Sequence, residues 1–456
     1  MLRITDLNPL GGIGANCLLL ELGPFRIVVD AGINPKELGT AAMPAFALLR
    51  DKPVDFVILT HCHLDHLGSI PVLLREHPQA LLLLSKPSES LAPRMLRNSY
   101  NVMMRQRDEE GVPEYPLYSR REVTQMRHRT FALAYGQPRF FGGHHGERLA
   151  ITLHPAGHVP GAAGVTLDYG HRRLFLSGDV LFHDQHILRG ARFPRDPVDT
   201  LVLETTRGAT QRAPGSSRAS EIERLLETVR GTLRGGGSVL IPAFAFGRMQ
   251  EILTILHEAL VERRELPIVP IFASGLGLDL CNYFDEISRQ SKEVRFSRRI
   301  LDALPVLKVP DNLKPGRAPK KPAIYVLSSG MIVPNTASYI AAAALLDDPR
   351  STLCFVGYCD PASPGGEIIA AEEDGELVFD ALDFKAWAKA RIEQFDLSSH
   401  ADREELLEFA LSLRPRRVVL THGDPPARAW FQTQLKAADP KIDVIDPAPL
   451  RTLSLD

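Results

Sequence analysis

The segment HCHLDH, His61 to His66, follows directly on the apolar run DFVILT (55–60) and limits the folds open to this chain more than any other feature. Imidazole nitrogens and carboxylate oxygens are natural protein ligands of zinc, and four such side chains, His61, His63, Asp65 and His66, fall within six residues. The preceding run reads as a buried strand, so these side chains stand in the loop at its end and at the start of the next helix. A loop this short cannot complete two tetrahedral sites. His61 and His63 point one way, Asp65 and His66 toward a neighbouring position. The fold must therefore return distant segments to the same place.

Three segments offer what is missing: His158 in PAGHVPGAAG, Asp179 in LFLSGDV and His422 in VVLTHGD. Each lies at a strand end or in a turn beside glycines, which let the backbone approach closely. Taken alone, each would ordinarily be a turn residue; beside the HCHLDH loop they complete a ligand set.

The first 205 residues alternate short strand-like runs with turns, including CLLLEL (17–22), FRIVVD (25–30), LFLS (174–177) and TLVLE (200–204). From Ser217 the pattern turns helical, with Ile222, Leu225, Leu226, Val229 and Leu233 at helical spacing. The strands SVLIP, PIVPIF, AIYVLS and TLCFVG then alternate with helix, as in a parallel α/β sheet. The expected division is 1–208 and 365–456 for a split metal-binding domain and 209–364 for an inserted one. A length of 456 residues agrees with more than one core. Lys and Arg number 53 against 55 Asp and Glu, a net charge of -2, which excludes a uniformly basic coat for gripping nucleic acid. Five scattered cysteines without a CxxC pair exclude a disulfide framework and a cysteine zinc site. No apolar run approaches the roughly 18 residues of a membrane span, and the N-terminus does not read as a signal peptide; the expectation is a cytoplasmic protein with no membrane partner.

On these motifs the chain resembles the metallo-β-lactamase superfamily, whose HxHxDH loop, later histidine and GD carboxylate match His61, His63, Asp65, His66, His158 and Asp179 in order. Asp30 in VVDAG matches the residue that buttresses the metal loop there. The narrower resemblance is to the β-CASP nucleases, which include RNA 3′-end cleavage factors and, more distantly, RNase J. It is carried by Glu204 in LVLETTRG, by IPAFAFGRMQEIL, IFASGLG, LSSGM and FVGYC, and by His400 in LSSHAD and His422 in LTHGD. The resemblance implies an αββα sandwich interrupted by an inserted α/β domain with a mainly parallel sheet. It also implies two zinc ions per chain, manganese or iron being alternatives. His61, His63 and His158 would hold one ion and Asp65, His66 and His422 the other, with Asp179 bridging. Asp65, Glu204 and His400 would be catalytic, His400 protonating the departing 3′ oxygen and Glu204 orienting its ring. On residues alone, His400 reads as part of a helix start capped by Ser399 or Asp402, and only the resemblance gives it a catalytic role. In DNA-processing members the last position is generally not histidine, so His422 favours RNA.

The implied activity is hydrolysis of phosphodiester bonds in single-stranded RNA, endonucleolytic and also 5′–3′ exonucleolytic. The alternatives are a hydrolase of small esters or thioesters or of single-stranded DNA, and a catalytically silent scaffold. The expected assembly is a homodimer or a processing-complex partner. For RNA contacts, Arg248 opens a helix, where phosphate is attracted, and Ser329 and Ser399 offer hydroxyls. Residues 289–321 carry ten basic and three acidic side chains, and 94–129 eight arginines and five acids. His144 and His145, in FGGHHG, read as turn residues, and His183 and His186 as surface-loop residues. Three departures stand out. Arg207 in ETTRG replaces an aromatic residue, which bears on substrate approach. GDVLF resembles small-molecule hydrolases such as glyoxalase II. GGIGAN resembles RNase J, yet neither its C-terminal domain nor an N-terminal RNA-binding domain is expected.

Overall fold

A computed structural model describes residues 2–143, 146–310 and 313–455. His144, His145 and Asp311, one of the acids counted in the basic stretch, lie outside the described residues. The chain forms two compact units, one of residues 1–184, 190–211 and 400–456 and the other of 185–189 and 212–399.

The first unit is built on two seven-stranded sheets. One runs, in spatial order, Thr452–Ser454, Leu2–Asp6, Leu18–Leu22, Phe25–Val29, Phe56–Ile58, Leu81–Ser85 and Thr130–Leu133. The other runs Asp443–Ile445, Arg417–Thr421, Thr200–Glu204, Arg172–Leu176, Ala163–Tyr169, Arg148–Pro155 and Arg139–Gly142. Side chains alternate between the faces of a strand. Leu18, Leu20, Ile27, Val29 and Ile58 therefore meet Ile151, Val165, Leu174, Leu176 and Val202 in one core between the sheets. The alternate residues Phe175, Leu201, Leu203, Val418 and Leu420 pack on the other face against Leu406, Phe409, Phe431 and Leu435 of the helices Arg403–Ser412 and Pro425–Ala438. The long helix Lys86–Glu110 packs against Leu81–Ser85 and Thr130–Leu133. These layers are the expected αββα sandwich.

The second unit carries a six-stranded sheet in the order Val306–Leu307, Ile271–Ala273, Ile324–Leu327, Val239–Pro242, Thr352–Phe355 and Arg391–Gln394. Every pairing in it is parallel, and parallel neighbours need crossovers, which helices such as Arg248–His257, Leu276–Gln290 and Ala337–Leu345 provide. The helix Arg218–Arg234, capped by the Ser217 hydroxyl, leads into this sheet and packs against Val239–Pro242 and Thr352–Phe355. Strand Arg391–Gln394 pairs with Thr352–Phe355, which carries the unit to residue 399, past the 364 set by the glycine-rich turn. That turn instead opens the short helix Pro364–Ala370.

Candidate metal centre

Every candidate ligand lies just beyond the C-terminal end of a strand in the first unit. In one sheet Phe25–Val29 runs parallel to Phe56–Ile58, so Asp30 and the His61–His66 loop emerge side by side. In the other, Thr200–Glu204 lies between parallel Arg172–Leu176 and Arg417–Thr421, with Glu204 opposite Thr421, so Asp179, Glu204 and His422 leave from neighbouring strands. His158 follows Arg148–Pro155 through Gly157, where φ is +73° and a Cβ would stand 2.2 Å from the Leu181 carbonyl oxygen. Only glycine fits there. Asp30 and His422 themselves have φ of 60° and 48°, a left-handed conformation that non-glycine residues adopt uncommonly and that Asp and His tolerate better than most.

The donor atoms converge. Those of His61, His63 and His158 lie within 4.8 Å of one another, as do those of Asp65, His66 and His422, and Asp179 groups with His61 and His66. His63 Nδ1 is 3.0 Å from His61 Nε2 and 3.1 Å from His158 Nε2. His422 Nε2 is 3.4 Å from both His66 Nε2 and Asp65 Oδ2. Asp179 Oδ2 lies 3.6, 3.5 and 3.8 Å from His61, His66 and His158.

Buttresses fix which nitrogen faces inward. His66 Nδ1–H donates to Asp30 Oδ2 at 2.7 Å, while the Thr60 N–H and hydroxyl donate to Asp30 at 2.7 Å each. His66 Nε2 is thereby left free to coordinate. His422 Nδ1–H donates to Thr206 Oγ1 at 2.8 Å, which leaves its Nε2 toward Asp65.

The electrostatics suit a cation. Burial, then the charge of His66, hold His61 well below the usual imidazole range. Burial pushes the Asp65 carboxyl up, but His66 and the hydrogen bond from His422 outweigh it and bring it to about 2. Burial likewise pushes Asp179 up, yet His422, His66 and His61 hold it well below the usual carboxylate range. Its Oδ1 is buried and accepts no hydrogen bond, although His422 Nδ1 is 3.2 Å away. Crowded imidazoles, ionised carboxylates and an orphaned carboxylate oxygen form a donor set that fits divalent metal.

Beside this set, His400 Nδ1 is 3.2 and 3.1 Å from the two oxygens of Glu204, and its Nε2 is 4.0 Å from Asp179 Oδ2. Glu204 is fully buried and also accepts from Val180 N–H at 2.8 Å and from the Thr206 hydroxyl at 2.5 Å. One carboxylate thus orients His400 directly and His422 through Thr206. Burial lowers the affinity of His400 for its proton, but Glu204 more than restores it and the pKa is raised.

All seven candidate ligands, with Asp30, Glu204 and His400, come from the first unit, whereas Arg248, Ser329 and Ser399 belong to the second. Arg248 is the first residue of its helix and is buried, which pulls its pKa down to about 9. Arg207 is also buried and pairs with Asp402 at 3.2 Å, so its bulk does not face solvent. Cys62 is buried with its Sγ toward the Ser88 carbonyl. His183 pairs with Glu405, and His186 with Glu251 and Glu258. Sequence reasoning missed Asn16, whose Nδ2 is 3.2 Å from His66 Nε2 and 3.4 Å from Asp65 Oδ2, as well as Thr60 and Thr206. The GGIGAN turn and the threonines beside His61 and Glu204 were the only signals for them.

A two-sheet sandwich with histidines and aspartates gathered at its strand ends defines a metallo-hydrolase fold with a divalent metal site. Family models agree: residues 10–230 match the metallo-β-lactamase superfamily, 249–368 the Beta-Casp domain, and 388–447 the Zn-dependent metallo-hydrolase RNA specificity domain. The chain is 30% identical to the transcription termination factor FttA of Thermococcus kodakarensis over 93% of its own length and 67% of that protein. It is 26% identical to the endoribonuclease YSH1 of Eremothecium gossypii over 98% of its length and 59% of that protein. An RNase J-like protein of Methanocaldococcus jannaschii is 26% identical, with 90% of each chain covered. The chain therefore belongs to the β-CASP family of the metallo-β-lactamase superfamily. It spans about two thirds of the FttA relatives it matches.

Proposed function

We propose that this protein is a metal-dependent ribonuclease that hydrolyses phosphodiester bonds of single-stranded RNA, acting internally and also from the 5′ end. The observation that carries this reading is the convergence of two ligand triplets on Asp179 beside the Glu204–His400 pair. His61, His63 and His158 would hold one zinc ion and Asp65, His66 and His422 a second, with Asp179 shared. Bound there, the ions would supply Lewis-acid charge that acidifies a water and neutralises phosphate oxygens. The residues supply the rest. Asp65, kept ionised, orients the attacking water. His400, its Nδ1 held by Glu204, presents Nε2–H to the departing 3′ oxygen. The RNA specificity match at 388–447 and the relatives named endoribonuclease and RNase J-like support RNA as the substrate.

The domain proposal is an inserted domain over 209–364 within a split metal-binding domain of 1–208 and 365–456, a reading that the Beta-Casp match at 249–368 and the RNA specificity match at 388–447 support. For the whole protein we propose a cytoplasmic location and action as a homodimer or within a processing complex. Among the described residues no helix is long and apolar enough to cross a membrane.

The test is zinc-loaded protein on RNA labelled at either end, with single-stranded DNA and a thioester panel alongside. Internal cuts and 5′-terminal release on RNA, both lost in Asp65→Ala, are expected; turnover of thioesters with none of RNA would overturn the reading.

A further inference from the structure

The loops that carry Glu204 and His400 meet twice. The first meeting is the carboxylate–imidazole pair itself. The second lies further along each loop, where Arg207 Nη2 and Asp402 Oδ1 form an ion pair at 3.2 Å, their side chains only 7% and 15% exposed. Arg403 adds a bond from its Nη1 to the Gly208 carbonyl at 3.4 Å. All of these residues belong to the first unit.

The second meeting constrains the first. The His400 ring is held at Nδ1 by Glu204 and packs against the His158 ring with centroids 4.5 Å apart, and the direction of its Nε2 depends also on how its backbone is held. Asp402 is the N-cap of the helix Arg403–Ser412, with its N–H bonded to Glu405 at 2.9 Å, so the residues after His400 are anchored to a rigid element. Ala401 N–H donates to the Val180 carbonyl at 2.7 Å. The Arg207–Asp402 pair ties this anchored segment to the loop that bears Glu204. A charge pair with little solvent access resists separation more than an exposed one. With its charge committed to Asp402, Arg207 is not shaped as a phosphate contact.

We infer that Arg207 and Asp402 are positioning residues that set the aim of His400 toward the leaving oxygen. The inference rests on the proposed hydrolysis. In that reaction a water oxygen–phosphorus bond forms, the phosphorus–O3′ bond breaks, and the proton of His400 passes to O3′.

The experiment compares two RNAs that differ at one scissile position, with oxygen or sulfur as the 3′ bridging atom. A thiolate leaves without protonation, so a misaimed acid slows only the oxygen substrate. In the zinc-loaded full chain, Arg207→Met and Asp402→Asn should lower kcat on the oxygen RNA about 10- to 100-fold, with KM and zinc content unchanged; losing one partner of a poorly exposed pair also lowers the melting temperature, so the rates are compared well below it. The sulfur-to-oxygen rate ratio should rise by a similar factor. Lysine keeps the positive charge that faces Asp402, so Arg207→Lys should recover part of the rate. Asparagine is a good N-cap, so Asp402→Asn decides the matter if Arg207→Met does not fold. Equal losses on both RNAs, or no loss, would overturn the inference. His400→Ala separates the two levels. If it raises the ratio while the other variants do not, only the positioning role fails. If it leaves the ratio flat, the assignment of His400 as the acid fails first.

Discussion

Asp30 never touches the proposed substrate, yet the geometry gives it a measurable effect on metal affinity. Its carboxylate accepts three hydrogen bonds of 2.7 Å, from Thr60 N–H, the Thr60 hydroxyl and His66 Nδ1–H. Asp30→Asn keeps the volume but makes one oxygen an NH2 donor. Turned toward His66, that donor opposes the Nδ1–H and favours the wrong tautomer; turned the other way, it opposes the Thr60 N–H. Either way one bond to a charged acceptor disappears, about 1.5–3 kcal/mol, or roughly 10- to 150-fold in an equilibrium constant at 1.4 kcal/mol per decade. Part of that cost falls on the metal-free fold, so the zinc Kd should rise about 10- to 100-fold. Competition against a chromophoric chelator measures it, with thermal melting of the metal-free protein as the control for folding. A folded variant with a Kd within about twofold of wild type would refute the argument that Asp30 selects the coordinating nitrogen of His66.

Other consequences follow from the same geometry. Glu204 raises the His400 pKa against burial; in the proposed role of general acid, His400 would work below its pKa and fail as pH rises through it. Glu204→Gln should therefore shift the alkaline limb of the kcat–pH profile to lower pH. Thr206→Val removes the acceptor of His422 Nδ1–H and the donor to Glu204, and should cost about tenfold in activity, read as kcat together with zinc content. At Gly32 a Cβ would lie 1.7 Å from the Asp65 carbonyl oxygen, whereas at Gly142 it would meet nothing within 4 Å. Gly32→Ala should destabilise by about 1–3 kcal/mol and release metal, with Gly142→Ala close to wild type by calorimetry and zinc analysis. The basic residues of 289–321 are exposed. If they neutralise RNA phosphates, Arg298, Arg299, Lys320 and Lys321 changed together to Ala should flatten the salt dependence of RNA affinity, by about 0.7 in slope for each phosphate no longer neutralised; an unchanged slope would remove this stretch from the RNA path.

The chemistry was legible because ligand type and strand ends are local properties. His61, His63, Asp65 and His66 are grouped by the chain itself, and Asp179, Glu204 and His422 each follow an apolar run whose end could be read directly. The inserted unit was harder. The glycine turn at 364–366 suggested its end, but the strand Arg391–Gln394 joins the sheet through hydrogen bonds to Thr352–Phe355, a pairing that no composition shift marks.

What the sequence determined alone was the set of candidate donors and the order of the elements, since both depend on side-chain type and short-range periodicity. Tertiary structure decided which nitrogen of each histidine faces inward, through partners such as Asp30 and Thr206 that are distant in sequence or chemically unremarkable. It also turned Arg207 from a substrate-facing candidate into half of a buried ion pair, because its partner Asp402 comes from the far side of the inserted unit in the chain and only folding brings the two together.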